Sequence, residues 1–102
     1  MEELKINNIT EYLKQRKEEF IKNYSIEKIG LFGSFANGKN TLDSDIDIDI
    51  VYETSTKDLT FKQFHQIEEE LKNQFNRNID LVNLKYMNPL IKRKALKDMI
   101  YV

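Results

Sequence analysis

A run of alternating aspartate and isoleucine constrains the fold of this 102-residue chain more than any other feature. Between Asp45 and Tyr52 every second residue is apolar, in the pattern "DIDIDIVY". This period of two predicts a β-strand, because successive side chains of a strand point to opposite faces. One face carries isoleucines and packs on a core, while the other carries Asp45, Asp47 and Asp49. The chain is therefore expected to build a sheet with one apolar and one acidic face.

The periodicities elsewhere predict the order helix, strand, strand, helix, strand, helix. We therefore expect an α/β (α+β) fold in which helices flank a small mixed sheet, with residues 1–102 as a single domain. The tail "IYV" is expected to be a short last strand or the end of the last helix. The predicted strands are Ile26–Phe32, Asp45–Tyr52 and Asn78–Leu84. Three longer helices are predicted: the first begins near Asn8, the second begins after a capping box at Thr60, and the third begins at Pro89.

The composition narrows the classes of function. There are 16 basic and 17 acidic residues, and a net charge of −1 argues against a dedicated nucleic-acid binder. We interpret the basic run Lys92–Lys97 as a solvated helix face or a surface for an acidic partner. The chain has no cysteine, which excludes disulfides and thiolate metal sites. We expect a cytoplasmic protein, because no apolar run is long enough for a signal peptide or a membrane span.

A third predicted strand brings a further carboxylate to the acidic face. Asp80 stands alone in the apolar run "NIDLVNL", and pairing of this strand beside Asp45 and Asp47 would bring three carboxylates together. Carboxylates at such distances raise one another's pKa unless a divalent cation is present. Oxygen ligands suit Mg²⁺ or Mn²⁺. The alternative is a half-solvated strand whose charges only prevent aggregation.

Gly33 and Ser34 directly follow an apolar strand and precede "FANG", which we expect to form a short helical turn. Glycine lets the backbone approach a phosphate, N–H groups at a helix start favour an anion, and serine adds a hydroxyl donor. A glycine–serine pair alone is usually a plain turn. Followed about ten residues later by paired aspartates, it predicts a site for a nucleoside triphosphate and its metal.

The segment "GSFANGKNTLDSDIDI", followed by Asp80 on a later strand, resembles the signature of the DNA polymerase β-type nucleotidyltransferases. The form "GSxAxG…SDIDI" in a short chain is similar to the minimal nucleotidyltransferases, or MNT proteins. The resemblance implies that Gly33 and Ser34 bind the phosphates, and that Asp45 and Asp47 bind the nucleotide through two Mg²⁺ (or Mn²⁺) ions. Asp80 would complete the first metal site and assist deprotonation of the attacking hydroxyl.

The implied reaction is the transfer of AMP from ATP to a hydroxyl group, with release of pyrophosphate. A chain of this length is expected to lack room for a second domain that would hold the acceptor. The resemblance implies a tyrosine of a partner HEPN ribonuclease toxin as acceptor, with this chain as the antitoxin of a hetero-oligomer. Two alternatives stay open: an antitoxin that neutralises by binding alone, and the catalytic subunit of a two-chain enzyme for a small molecule. We expect no direct contact with nucleic acid or membrane.

Two positions depart from the family pattern. Many relatives have arginine in a "GSxARG" turn where this chain has Asn37, so nucleotide binding is expected to be weaker, although Lys39 follows two residues later. Asp49 is an additional acid. Because it lies too far along the strand from Asp45 to share one ion with it, we interpret Asp49 as solvated or as an indirect neighbour of the metal ligands.

Overall fold

A mixed sheet of four strands lies at the centre of the structure, a computed structural model that describes residues 4–24, 26–51 and 60–102. The predicted α+β fold is confirmed, and the C-terminal tail forms a strand. In chain order the elements are α1 (Ile6–Tyr24), β1 (Lys28–Phe32), α2 (Gly33–Asn37), β2 (Ile46–Val51), α3 (Phe61–Phe75), β3 (Ile79–Val82), a 3₁₀ turn (Leu84–Tyr86), α4 (Pro89–Leu96) and β4 (Ile100–Tyr101).

The aspartate–isoleucine strand β2 lies inside the sheet, whose strand order is β3-β2-β1-β4. It pairs antiparallel with β1 and parallel with β3, and β4 pairs antiparallel with the far edge of β1. An interior strand has its backbone hydrogen bonds satisfied on both sides, so its side chains alone decide what each face of the sheet contacts.

The isoleucine face of β2 is the floor of the core. Ile46, Ile48 and Ile50 are all buried, as the alternation predicts. Helices α1 and α3 cover this face, and Arg16 of α1 joins them by an ion pair of 2.8 Å to Glu70 of α3. The helical residues buried in this core are Ile9, Leu13 and Phe20 of α1, Phe35 of α2, and Ile67 and Leu71 of α3. No helix in the described ranges is long and apolar enough to cross a membrane.

The opposite, aspartate-bearing face is partly covered by the C-terminal part of the chain. Met99 and Tyr101 lie so close to Gly30 of β1 that an added Cβ atom would meet the Met99 sulfur at 2.6 Å. Glycine at this position therefore leaves room for the C-terminal residues on the face where Asp47 and Asp49 lie.

The predicted helix starts are correct for α3 and α4 and wrong for α1. Thr60 closes a capping box before α3, and the Asn88 side chain caps α4 with Pro89 as its first residue. Helix α1 begins at Ile6, and Asn8 is inside it, where its Oδ1 accepts a hydrogen bond from the Lys5 N–H at 3.0 Å. The three predicted strands are each one or two residues too long at their ends, and Tyr52 is outside the described residues.

Candidate active site

Asp47 and Asp80 lie side by side on neighbouring strands. The parallel register of β2 and β3 pairs the two residues directly, as the sequence predicted, and adjacent strands are about 4.8 Å apart. Asp45 was predicted inside the strand, but β2 begins only at Ile46. Asp45 is exposed just before the strand, and it is close enough for its charge to act on Asp47.

The surroundings of Asp47 disfavour its ionised form. Burial raises the pKa of this carboxyl most, followed by the charge of Asp80, a hydrogen bond between the two side chains and the charge of Asp45, so that the pKa reaches about 6. An unbalanced negative charge of this kind attracts a cation. A bound divalent ion would remove most of the free-energy cost of ionising Asp47, because its positive charge outweighs the neighbouring carboxylates.

The carboxylates fit a divalent cation only in part before a nucleotide is present. In residues 4–24, 26–51 and 60–102, no three acidic, histidine or cysteine side chains converge on one point as a preformed metal site. Asp47 and Asp80 converge, and Asp45 is nearby but exposed. Mg²⁺ is commonly held by one or two carboxylates together with substrate phosphates. The donor set therefore suits a cation that arrives with a phosphate ligand.

Gly33 places the predicted phosphate-binding turn against the acidic pair. Its φ of +75° belongs to the left-handed region that glycine adopts without strain. A Cβ atom at this position would lie 2.0 Å from Oδ2 and 2.8 Å from Cγ of Asp47. No other residue type leaves room for that carboxylate, so the close approach of turn and strand accounts for the glycine.

A cavity of about 420 Å³ unites most of the predicted site. Gly33, Ser34 and Asp47 line one wall, and residues of α4 line the other. Asp80 does not line this cavity but pairs with Asp47, and Asp45 lines another cavity of about 350 Å³. The structure thus brings the turn and one aspartate together in one cavity, whereas the other two aspartates are not part of its lining.

Arg77 is a residue of this region that the sequence did not indicate. Its Nη1 donates hydrogen bonds to the carbonyl oxygens of Thr41 at 3.3 Å and Ser44 at 3.1 Å. The guanidinium also lies 5.3 Å from the ring centroid of Phe35 in α2. Arg77 therefore joins the loop that leads into Asp45 to Phe35 of α2. A single arginine after a helix carries no sequence signal for such a long-range contact.

Asp49 is fully buried, so the expectation of a solvated side chain is wrong. Its Oδ1 accepts a hydrogen bond from the Leu84 N–H at 2.9 Å. Burial raises the pKa of Asp49, and burial together with the charge of Asp49 raises the pKa of Tyr101. Asp49 therefore joins β2 to the turn after β3, beneath the C-terminal strand.

These features define a class of protein. A glycine–serine turn after one strand touches a carboxylate of the next strand, and a third strand adds a second carboxylate, all on one sheet face beside a cavity. This arrangement suits an enzyme that binds a phosphate group beside paired carboxylates.

The chain belongs to the polymerase beta nucleotidyltransferase family, whose family model matches residues 7–102. It is 32% identical to MJ1379 of Methanocaldococcus jannaschii, a candidate protein adenylyltransferase, over 95% of this chain and 97% of that protein. It is 29% identical to the protein adenylyltransferase MntA of Thermococcus cleftensis, over 97% of both chains.

Solved structures agree on the fold. A candidate minimal nucleotidyltransferase matches 98% of both chains with a TM-score of 0.75 and 17% identity. A chain from the complex of a tri-AMPylated Shewanella oneidensis HEPN toxin with its MNT antitoxin matches 89% of this chain and 69% of its own, with a TM-score of 0.60 and 16% identity. At such identities the likeness establishes the shared fold alone.

Proposed function

We propose that this chain is a cytoplasmic protein adenylyltransferase that moves AMP from ATP to a hydroxyl group with the help of Mg²⁺. The observation that carries the proposal is the contact between the Gly33 turn and the Asp47 carboxylate, beside Asp80 and at the wall of a cavity. The names of the relatives, which are protein adenylyltransferases over nearly their full length, support the same activity.

Each residue of the predicted site has a role in the proposal. The Gly33 backbone and the Ser34 hydroxyl bind phosphate oxygens. Asp45, Asp47 and Asp80 would supply oxygen ligands for two Mg²⁺ ions. When bound, the ions would activate the acceptor oxygen and neutralise charge on the departing pyrophosphate.

The transfer is a displacement at the α-phosphorus. The acceptor oxygen forms a bond to that phosphorus, the bond from it to the bridging oxygen breaks, and pyrophosphate leaves with the electron pair. The acceptor hydroxyl gives its proton to a carboxylate oxygen of Asp80, which lies beside Asp47 on the exposed side of the pair.

The acceptor that we propose is a tyrosine of a HEPN ribonuclease toxin, which this chain would inactivate as its antitoxin. This proposal is supported by a structural neighbour that is an MNT antitoxin in complex with an AMPylated HEPN toxin. A protein acceptor also agrees with the name of the MntA relative.

The test is intact-mass spectrometry of a HEPN-family toxin co-purified with this protein and incubated with ATP and Mg²⁺. We expect the toxin to gain one or more adenylyl groups on tyrosine, and Asp45→Asn to abolish the gain. Asp43→Asn is the matched control, because Asp43 is equally exposed two residues earlier and is expected to leave the reaction unchanged. If the toxin forms a stable complex but never gains mass, and if the Asp45→Asn protein neutralises the toxin as well as the wild type does, this chain would instead be an antitoxin that acts by binding alone.

Replacement of Arg77 is expected to slow the transfer while the fold survives. Arg77→Ala removes two hydrogen bonds to the loop before Asp45, so we expect a reduction of about tenfold in the rate at saturating ATP. Arg77→Lys is expected to recover only part of the rate, because lysine lacks the planar fork. Arg93→Ala, at an exposed position of α4, is the control. An Arg77→Ala protein with the wild-type rate would exclude the positioning role.

A further inference from the structure

The wall of the cavity opposite the Gly33 turn is formed by one face of α4 and by the second residue after it. Ile91, Lys94 and Ala95 of α4 line this wall together with Asp98. Lys94 and Ala95 lie three and four residues after Ile91, which places these three side chains on one side of the helix. We propose that Lys94 on this face binds the β- and γ-phosphates of ATP. The inference rests on the proposed function and assigns a residue that the sequence motif does not contain.

The lining of the cavity contains cationic side chains as well as Asp47 and Asp98. Among the described residues that line it, the cationic side chains are Lys39 and Lys94, and neither forms an ion pair with another described residue. A polyphosphate that reaches from the Gly33 turn into the cavity needs positive charge in addition to the metal. A lysine ammonium group supplies that charge as a compact centre with three donors.

Asn37 does not perform this task, because its side chain has a structural role. Its Nδ2 donates a hydrogen bond to Asp98 at 3.4 Å, and its Oδ1 accepts one from the Lys39 N–H at 2.9 Å. The first bond joins the end of α2 to the second residue after α4, and the second bond stays within the turn after α2. Both polar atoms of the Asn37 side chain therefore have protein partners, which leaves phosphate binding to a cation of the cavity.

The position of Lys94 on a helix distinguishes it from Lys39, which lies in the loop after α2. Helix α4 presents Lys94 between Ile91 and Ala95, and Ile91 is a large apolar side chain that is 51% exposed beside the cavity. An apolar residue and a cation one helical turn apart suit the two ends of a nucleotide: Ile91 packs on the nucleoside, and Lys94 binds the distal phosphates.

The experiment compares ATP and AMP binding by titration calorimetry in the presence of Mg²⁺. Lys94→Ala is expected to raise the Kd for ATP by about tenfold or more, since a charge-assisted contact is lost. The Kd for AMP, which has no β- or γ-phosphate, is expected to change by less than about twofold. Lys94→Arg should retain ATP binding, and Lys97→Ala, which removes an equal charge just after α4 and outside the cavity, is the matched control.

The outcomes separate this inference from the activity on which it rests. A wild-type protein that binds no ATP would refute the proposed function and the role of Lys94 together. Wild-type binding of ATP with an unchanged Kd in Lys94→Ala would refute the Lys94 assignment alone. An equal loss of ATP and AMP binding would also overturn it, because the lysine would then contact the nucleoside or the α-phosphate. Lys94 is exposed, so its replacement is expected to leave the fold intact.

Discussion

Asp47→Asn is expected to slow adenylyl transfer severely and, in the same molecule, to stabilise the metal-free protein. The loss of a ligand carboxylate is expected to reduce the rate by about 10²- to 10³-fold. The gain in stability follows from the position of Asp47, where burial and the neighbouring carboxylates oppose its charge. Residues selected for chemistry in this way commonly reduce the stability of a fold.

The size and pH dependence of the gain follow from the pKa. In the folded chain the pKa of Asp47 rises from its ordinary value of 3.8 to about 6, so folding favours the protonated acid. The protonated Asp47 carboxyl therefore contributes to the stability of the wild-type protein below about pH 4, and this contribution is lost as the pH rises through about 6. One pKa unit corresponds to about 1.4 kcal/mol, and because Asp47 is partly exposed to solvent we expect Asp47→Asn to gain about 1–2 kcal/mol at pH 7.

The measurement is the free energy of unfolding in urea between pH 4 and pH 8, with a chelator to exclude divalent ions. The difference between wild type and Asp47→Asn should be small at pH 4 and grow until about pH 6. Asp43→Asn, at an exposed position outside the pair, should follow the wild type at every pH. If Asp47→Asn were less stable than the wild type at pH 7, the carboxylate would be a stabilising group and the proposed electrostatic conflict would be absent.

The sequence predicted the fold where local chemistry is decisive. The alternation in β2 required a strand with one buried face, because a shift of one residue would bury the aspartates. Thr60 and Gln63 bind free backbone N–H groups at the start of α3, and the Asn88 side chain does the same for α4. Pro89 suits the first position of α4 because that position needs no N–H donor. The start of α1 was predicted wrongly because Asn8 is its third residue and not the residue before it. From that position the Asn8 side chain accepts a hydrogen bond from the Lys5 N–H, so it still binds a backbone group at the helix start.

The site was less predictable, because several of its contacts join distant parts of the chain. The alternation placed Asp49 on the acidic face but could not indicate that Leu84 and Tyr101 would cover that part of the face. Arg77 reaches the loop before Asp45, and Lys94 reaches the cavity, only because the sheet order brings their elements there. Periodicity assigns a residue to a face, whereas the residues that cover each stretch of that face depend on the tertiary fold.

Gly33→Ala is expected to disrupt the site more than any other substitution that adds one methyl group. The new Cβ atom would stand 2.0 Å from Oδ2 of Asp47, so that carboxylate must leave its place in the pair. The φ of +75° adds strain, since a left-handed conformation costs an L-residue about 1–2 kcal/mol. We therefore expect transfer activity to be lost and the free energy of unfolding to fall by about 2–4 kcal/mol.

Gly38→Ala separates the two causes. Gly38 has a similar φ of +79°, but a Cβ atom there would meet nothing within 4 Å. Its alanine variant is thus expected to lose about 1–2 kcal/mol from backbone strain and to keep its activity. Urea unfolding and transfer rates of both variants, together with the double variant Gly33→Ala/Asp47→Ala, test the contact: the two changes should be less than additive, because alanine at position 47 removes the colliding carboxylate. If the two glycine variants behaved alike, Gly33 would serve only the conformation of the turn, and the close approach of turn and carboxylate would have no part in the chemistry.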